Sequence, residues 1–222
     1  LKSLSAQSVL WESPSMGGLV AFVLVWFGAP PAWAPLTLET MRRSEGVTWF
    51  IFTDQPAGAW GWRSAGPAAV QPGPGRVLIR RLNGSAFERL AWRATGVRSQ
   101  LGGGYKLCDW RMAYGEIFAS WLRDFKFWGW VDLDTFMGRL ALFGLNASAV
   151  AEVDSMGDFG WPSQGPLTLL RNRPFVNRLW RGIPRVGERL ARPGIQRLNE
   201  WDFGRALLVA SGEAGAAAGE GG

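Results

Sequence analysis

Histidine is absent from the 222 residues, cysteine occurs once and tyrosine twice. One thiol, Cys108, cannot close an intrachain disulfide, and without imidazole or further thiolates a zinc site has too few ligands. Any bound metal would need oxygen ligands, which points to magnesium or manganese. Cys108 has apolar neighbours and reads as a small buried side chain rather than a nucleophile. Lysine is also scarce, three against twenty-one arginines, so the formal charge of +6 is an arginine charge. Guanidinium forks suit phosphate oxygens. No basic cluster is interleaved with regularly placed aromatics, however, and no recognition-helix motif is visible, so a specific nucleic-acid partner is not expected. Long apolar runs are missing too. The stretch from Gly17 to Phe27 is stopped by Gly28 and the Pro30-Pro31 pair, well short of the ~20 residues that span a bilayer. The chain opens on Leu1 rather than Met, so its start says little about targeting. Cytoplasm and a secretory-pathway compartment both stay open.

What is present is a core. Apolar residues make up 47% of the chain, with fourteen Trp and thirteen Phe, enough for one globular domain. Ala21 to Phe27 does not alternate and reads as a strand covered on both faces. Leu36 to Arg43 has helical spacing, and Trp49 to Thr53 is a second strand ending at Asp54. Strand, helix and strand in succession open an α/β fold. A Pro/Gly/Ala-rich loop with few anchors follows over 55–75, then a strand at Arg76 to Arg80 and a helix at Ala86 to Ala94. The spacing predicts a helix over Lys106 to Leu122, a strand over Phe125 to Val131 and a helix over Thr135 to Leu142. A loop over 146–160, a strand at Leu167 to Leu170 and a helix beginning at Asn172 complete the domain. Its expected bounds are 18–208, with a disordered Gly/Ala-rich tail over 209–222.

The segment FWGWVDLD, residues 127–134, brings Asp132 and Asp134 together at the end of an apolar run. Like charges repel unless a cation or proton compensates them. Either the pair ends a strand in solvent, or it is held to grip a cation. In open α/β sheets ligands bind beyond the carboxyl ends of the strands, and Asp54 has the same kind of address. Lys106 and Asp109, at i and i+3, can form an ion pair.

Five segments resemble the DUF6625 family, small proteins with a glycosyltransferase A-type fold found in polysaccharide-biosynthesis contexts. They are Trp26-Phe-Gly28, Trp49-Phe-Ile-Phe-Thr-Asp54, Tyr105 to Gly115 (YKLCDWRMAYG), Phe127 to Asp134 and Gly165 to Asn172 (GPLTLLRN). They fall in the family's order over roughly residues 20–182. The resemblance implies a single glycosyltransferase A-like domain with a mostly parallel, mixed central sheet flanked by helices. It further implies metal-dependent transfer of a sugar from a nucleotide-sugar donor to a carbohydrate acceptor. Asp132-Leu133-Asp134 would then be the metal–diphosphate motif for Mn²⁺ or Mg²⁺. Asp134 would be the closer metal ligand, and Asp132 would contact ribose or a metal-bound water. Asp54 would lie near the nucleoside, and Lys106 and Asp109 would contact sugar or ribose. Asp158 and Glu200 are loop-placed candidates for the base that reaches the acceptor hydroxyl.

Two departures stand out. Where the family often has histidine, this chain has Trp130 and Pro166. Neither can bind a metal or shuttle a proton. They open a second reading, a catalytically weakened nucleotide-sugar-binding or scaffold protein. A binder of phosphate-bearing surfaces rests on the arginine count alone. Peripheral membrane association stays open.

Overall fold

The computed structural model describes residues 19–61, 75–138, 155–157, 166–198 and 200–211. Six strands form one mixed, mostly parallel sheet in the order β3-β2-β1-β4-β6-β5. They are β1 (Val20–Trp26), β2 (Val47–Thr53), β3 (Arg76–Arg81), β4 (Phe127–Val131), β5 (Ser155–Gly157) and β6 (Leu167–Arg171). β1 pairs in parallel with both β2 and β4, and β2 with β3. β6 runs antiparallel to β4 and β5.

The apolar runs do not alternate because the sheet is covered twice. On one face Phe22, Leu24, Trp49, Ile51, Phe127 and Val131 pack with Leu38 and Met41 of helix α1 (Ala34–Arg42). On the other, Ala21, Val23, Phe50, Phe52, Trp128 and Trp130 pack with Phe87 and Ala91 of helix α2 (Gly84–Thr95). In α1 the buried positions are 34, 37, 38 and 41, the stripe of an amphipathic helix. α2 is bounded by Asn83, whose side chain accepts from the Ala86 amide, and by Gly96 in the left-handed region. These are the residue types that satisfy free amides at a start and tolerate positive φ at a stop.

Several expectations need correction. Residues 106–122 do not form one α-helix. Gly104–Ala113 is a 3-10 helix, followed by short α-turns at Tyr114–Ile117 and Ala119–Leu122. Leu107, Trp110 and Ala113 are all buried, a spacing of three that suits a helix with three residues per turn. Thr135 to Gly138 is irregular rather than helical. There the chain follows α1, with Thr37 donating to the Leu133 carbonyl and the Met137 amide donating to Thr40. The remainder of that expected helix, 139–142, lies outside the described residues. The expected 146–160 loop contains β5. The 55–75 segment has a firm anchor, a 3-10 turn at Ala57–Trp60 with the Trp60 side chain wholly buried. The last helix, Glu200–Ser211, runs past the expected boundary at 208. Among the described residues, no helix is long and apolar enough to cross a membrane.

Candidate functional site

The strand order turns back between β1 and β4: from β1 the sheet grows one way to β2 and β3, and the other way to β4. The chain leaving β4 turns under α1, on the face that the connection from β1 also takes, and the 3-10 helix covers the other face, so a crevice lies beyond the carboxyl ends of β1 and β4. A cavity of about 580 Å³ opens there. Its walls come from the end of β1, Trp33, the 3-10 helix with Tyr105, Cys108 and Arg111, and the β4 end from Trp130 to Asp134. That volume is in the range that holds small organic ligands.

β4 ends at Val131, and the chain turns at once, the Thr135 amide donating to the Asp132 carbonyl (3.1 Å). Leu133 is drawn into the core under α1 while Asp132 and Asp134 face the cavity. The like-charge question has a definite answer at Asp132. The Arg111 guanidinium lies 2.5 Å from its Oδ1, with both side chains mostly buried. The protein itself supplies that compensating cation. Arg111 also donates to Cys108 Sγ (3.2 Å). Burial pushes the Cys108 thiol up, outweighing the adjacent guanidinium, so the sulfur stays protonated at neutral pH. Asp134 is exposed at the cavity rim. Burial likewise drives the Tyr114 phenol far above its usual range. It donates to the Leu107 carbonyl (3.3 Å) and serves as a fixed wall, not an acid.

The other sequence candidates are placed differently. Asp54 sits at the end of β2 and accepts from the Gly28 amide (2.9 Å) and Gln55 Nε2 (3.0 Å). It shapes the turn after β1 and does not line the cavity. Lys106 and Asp109 do not line it either. Their side chains are wholly buried and 3.0 Å apart. Lys106 donates to the Arg189 carbonyl, and Asp109 accepts from the Gln196 and Leu198 amides. The pair fastens the 189–198 segment to the 3-10 helix. Glu200 opens the last helix, and Asp158 lies outside the described residues.

The two positions at which the resemblance implied histidine, Trp130 and Pro166, have structural places. Trp130 is buried against Trp128 and Phe203. Pro166 uses its backbone, its carbonyl accepting from the Asp132 amide (3.0 Å). Sequence reasoning missed the two exposed aromatics at the cavity, Trp33 and Tyr105. The available signal was local: Trp33 stands among Pro30, Pro31 and Pro35, and Tyr105 follows three glycines, so neither belongs to an apolar run.

Among the described residues, no three His, Cys, Asp or Glu side chains come together as a metal cage. Two carboxylates, one already paired with Arg111, suit only a cation that draws its other ligands from water and substrate phosphate, as Mg²⁺ commonly does.

A family model described as a family of unknown function, DUF6625, matches residues 22–190. No curated protein and no solved structure matches the chain.

Proposed function

The chain belongs to the DUF6625 family, and from that starting point we propose a glycosyltransferase-like protein whose switch-point cavity binds a nucleotide sugar. The observation that carries the reading is the meeting of Asp132, Asp134 and Arg111 in one ligand-sized cavity at the β1/β4 switch point. The mixed sheet supports a glycosyltransferase A-type arrangement, and a crevice beyond the carboxyl ends of its strands suits a nucleotide.

In this reading Asp134, with Asp132 behind it, would hold Mn²⁺ or Mg²⁺, which would supply positive charge for the departing diphosphate. Arg111 orients Asp132 through their ion pair and presents positive charge on the same side of the cavity. Transfer breaks the bond between the sugar's anomeric carbon and the diphosphate oxygen. A bond then forms from that carbon to an acceptor hydroxyl oxygen, whose proton passes to a base. Asp158 and Glu200 are the candidates for that base. Asp158→Asn and Glu200→Gln separate them by loss of turnover with donor affinity kept.

Trp130 favours one second reading. An indole locked into the core takes the place of a family imidazole, which suits a protein that binds donor without turning it over. Donor binding with neither transfer nor hydrolysis across a panel of acceptors would select it.

The test is calorimetry against a panel of nucleotide sugars, with and without Mn²⁺, repeated on Asp134→Ala. The expected result is metal-dependent binding of one donor, weakened at least tenfold in the variant. Binding unchanged in Asp134→Ala, or no binding by folded protein, would sink the reading.

A further inference from the structure

Most large aromatics are buried, yet Tyr105 is 80% exposed and Trp33 48% exposed, and both line the same cavity. They reach it from opposite faces of the sheet. Trp33 precedes α1, on the face of Phe22 and Trp49. Tyr105 belongs to the 3-10 helix, on the face of Ala21 and Phe50. The end of β1 runs between them.

Their supports differ. Trp33 is the residue before α1, and its carbonyl accepts from the Leu36 and Thr37 amides, which ties its backbone to the first turn of the helix. Tyr105 follows Gly102 and Gly103, with φ of +62° and +150°. Side chains rarely adopt such angles, and a Cβ at Gly103 would meet open space. Backbone conformation therefore demands glycine at Gly103, where packing does not. Among the described residues, the other exposed aromatics do not line the cavity, and Trp92, one of them, is covered by the Arg98 guanidinium 4.3 Å from its ring centre.

We propose that Trp33 and Tyr105 are the two walls of a slot that takes a flat ring, Trp33 the fixed wall and Tyr105 the adjustable one. Behind the slot stand Arg111, Asp132 and Asp134, so the ligand is a ring joined to a phosphate. The identity of that ligand rests on the proposed nucleotide-sugar reading. The ring is then either the base, by its π face, or the sugar, by its C–H face. Each stacks on an aromatic side chain, and stacking tolerates differences in base identity.

The experiment measures four probes by calorimetry: inorganic pyrophosphate, uridine and guanosine 5′-monophosphates, and glucose 1-phosphate. Each is tested, with Mn²⁺, on wild type, Trp33→Ala, Tyr105→Ala, Trp33→Phe and Tyr105→Phe. Both side chains are well exposed, so these variants should fold, as circular dichroism will show. Each alanine variant should weaken the ring-bearing probe roughly 5- to 150-fold, the range of one lost stack. Pyrophosphate affinity should stay within about twofold, and the phenylalanine variants should retain most of the binding. Loss confined to the nucleoside monophosphates assigns the base; loss confined to glucose 1-phosphate assigns the sugar. Ring-bearing probes that ignore the alanine variants, or pyrophosphate weakened equally, overturn the slot alone. A wild type that binds pyrophosphate but no ring-bearing probe more tightly overturns it as well. If none of the probes and no nucleotide sugar binds, slot and donor reading fall together.

Discussion

A methyl group on residue 129 would lie 2.0 Å from the Thr168 carbonyl oxygen and 2.7 Å from the Phe22 ring. Glycine therefore sits in the middle of β4 because its neighbours on β1 and β6 leave no space for a side chain. Gly129→Ala should destabilise the fold by about 3 kcal/mol or more, since backbone as well as a ring must move; a denaturant midpoint will show it. At the buried Lys106–Asp109 pair the direction depends on what is left behind. Lys106→Met alone strands a buried carboxylate and should cost about 3–5 kcal/mol. The double variant Lys106→Met/Asp109→Leu should cost less than the two single changes summed. A double-mutant cycle reads that difference. Cys108 offers a pH test. Its folded thiol is raised by burial, so its contribution is full below the ordinary thiol range and is lost as pH rises from that range through the higher folded value. Alkylation of the native protein at pH 8 should be slower than that of unfolded chain, and slower again when ligand fills the cavity that Cys108 lines. Mass spectrometry of the modified cysteine follows both rates.

The elements divide by where their cause lies. β1, β2, β3, β4 and β6 were legible because continuous apolar runs of β-formers have one use in a covered sheet, and α1 and α2 because their buried stripes are regular. The 104–122 region was not, because its geometry is set by distant partners: Asp109 is held by the Gln196 and Leu198 amides. β5 is three residues long and takes its form from pairing with β6. The acid pair was legible as a strand-end feature. The Arg111–Asp132 contact was not, since it depends on where the 3-10 helix meets the turn after β4, and the exposure of Trp33 and Tyr105 shows only as a place outside the apolar runs. α1 yields an acid-limb prediction. Arg42 and Arg43 hold the Glu39 carboxyl down at about 2. Its contribution is present above the ordinary glutamate range and is lost as pH falls towards 2. These side chains are at the surface, so the effect is small and weakens with salt. Glu39→Gln should slightly lower stability at pH 7 and converge with wild type near pH 2. Acid titrations at low and high salt show both features.

Across the whole molecule, the 189–198 segment joins parts that would otherwise be separate. It satisfies Lys106 and Asp109, Arg189 pairs with Asp202 (3.0 Å), and beyond it Phe203 packs on Trp130. A chain ended at Glu188 should lose cooperative unfolding, whereas one ended at Ser211 should keep it; thermal melts of the two distinguish them. The sheet order has a consequence of another kind, for a chain that is made from one end. β1 finds β2 soon after it emerges from the ribosome, but its other neighbour, β4, pairs Val20 with Phe127 and is synthesised about a hundred residues later. Throughout that interval one flank of β1 has no hydrogen-bonding neighbour, a hazard during translation that holding chaperones exist to cover. The two sides of the crevice are made at different times. Nascent chains halted before β4 should therefore stay silent to any ligand of this crevice.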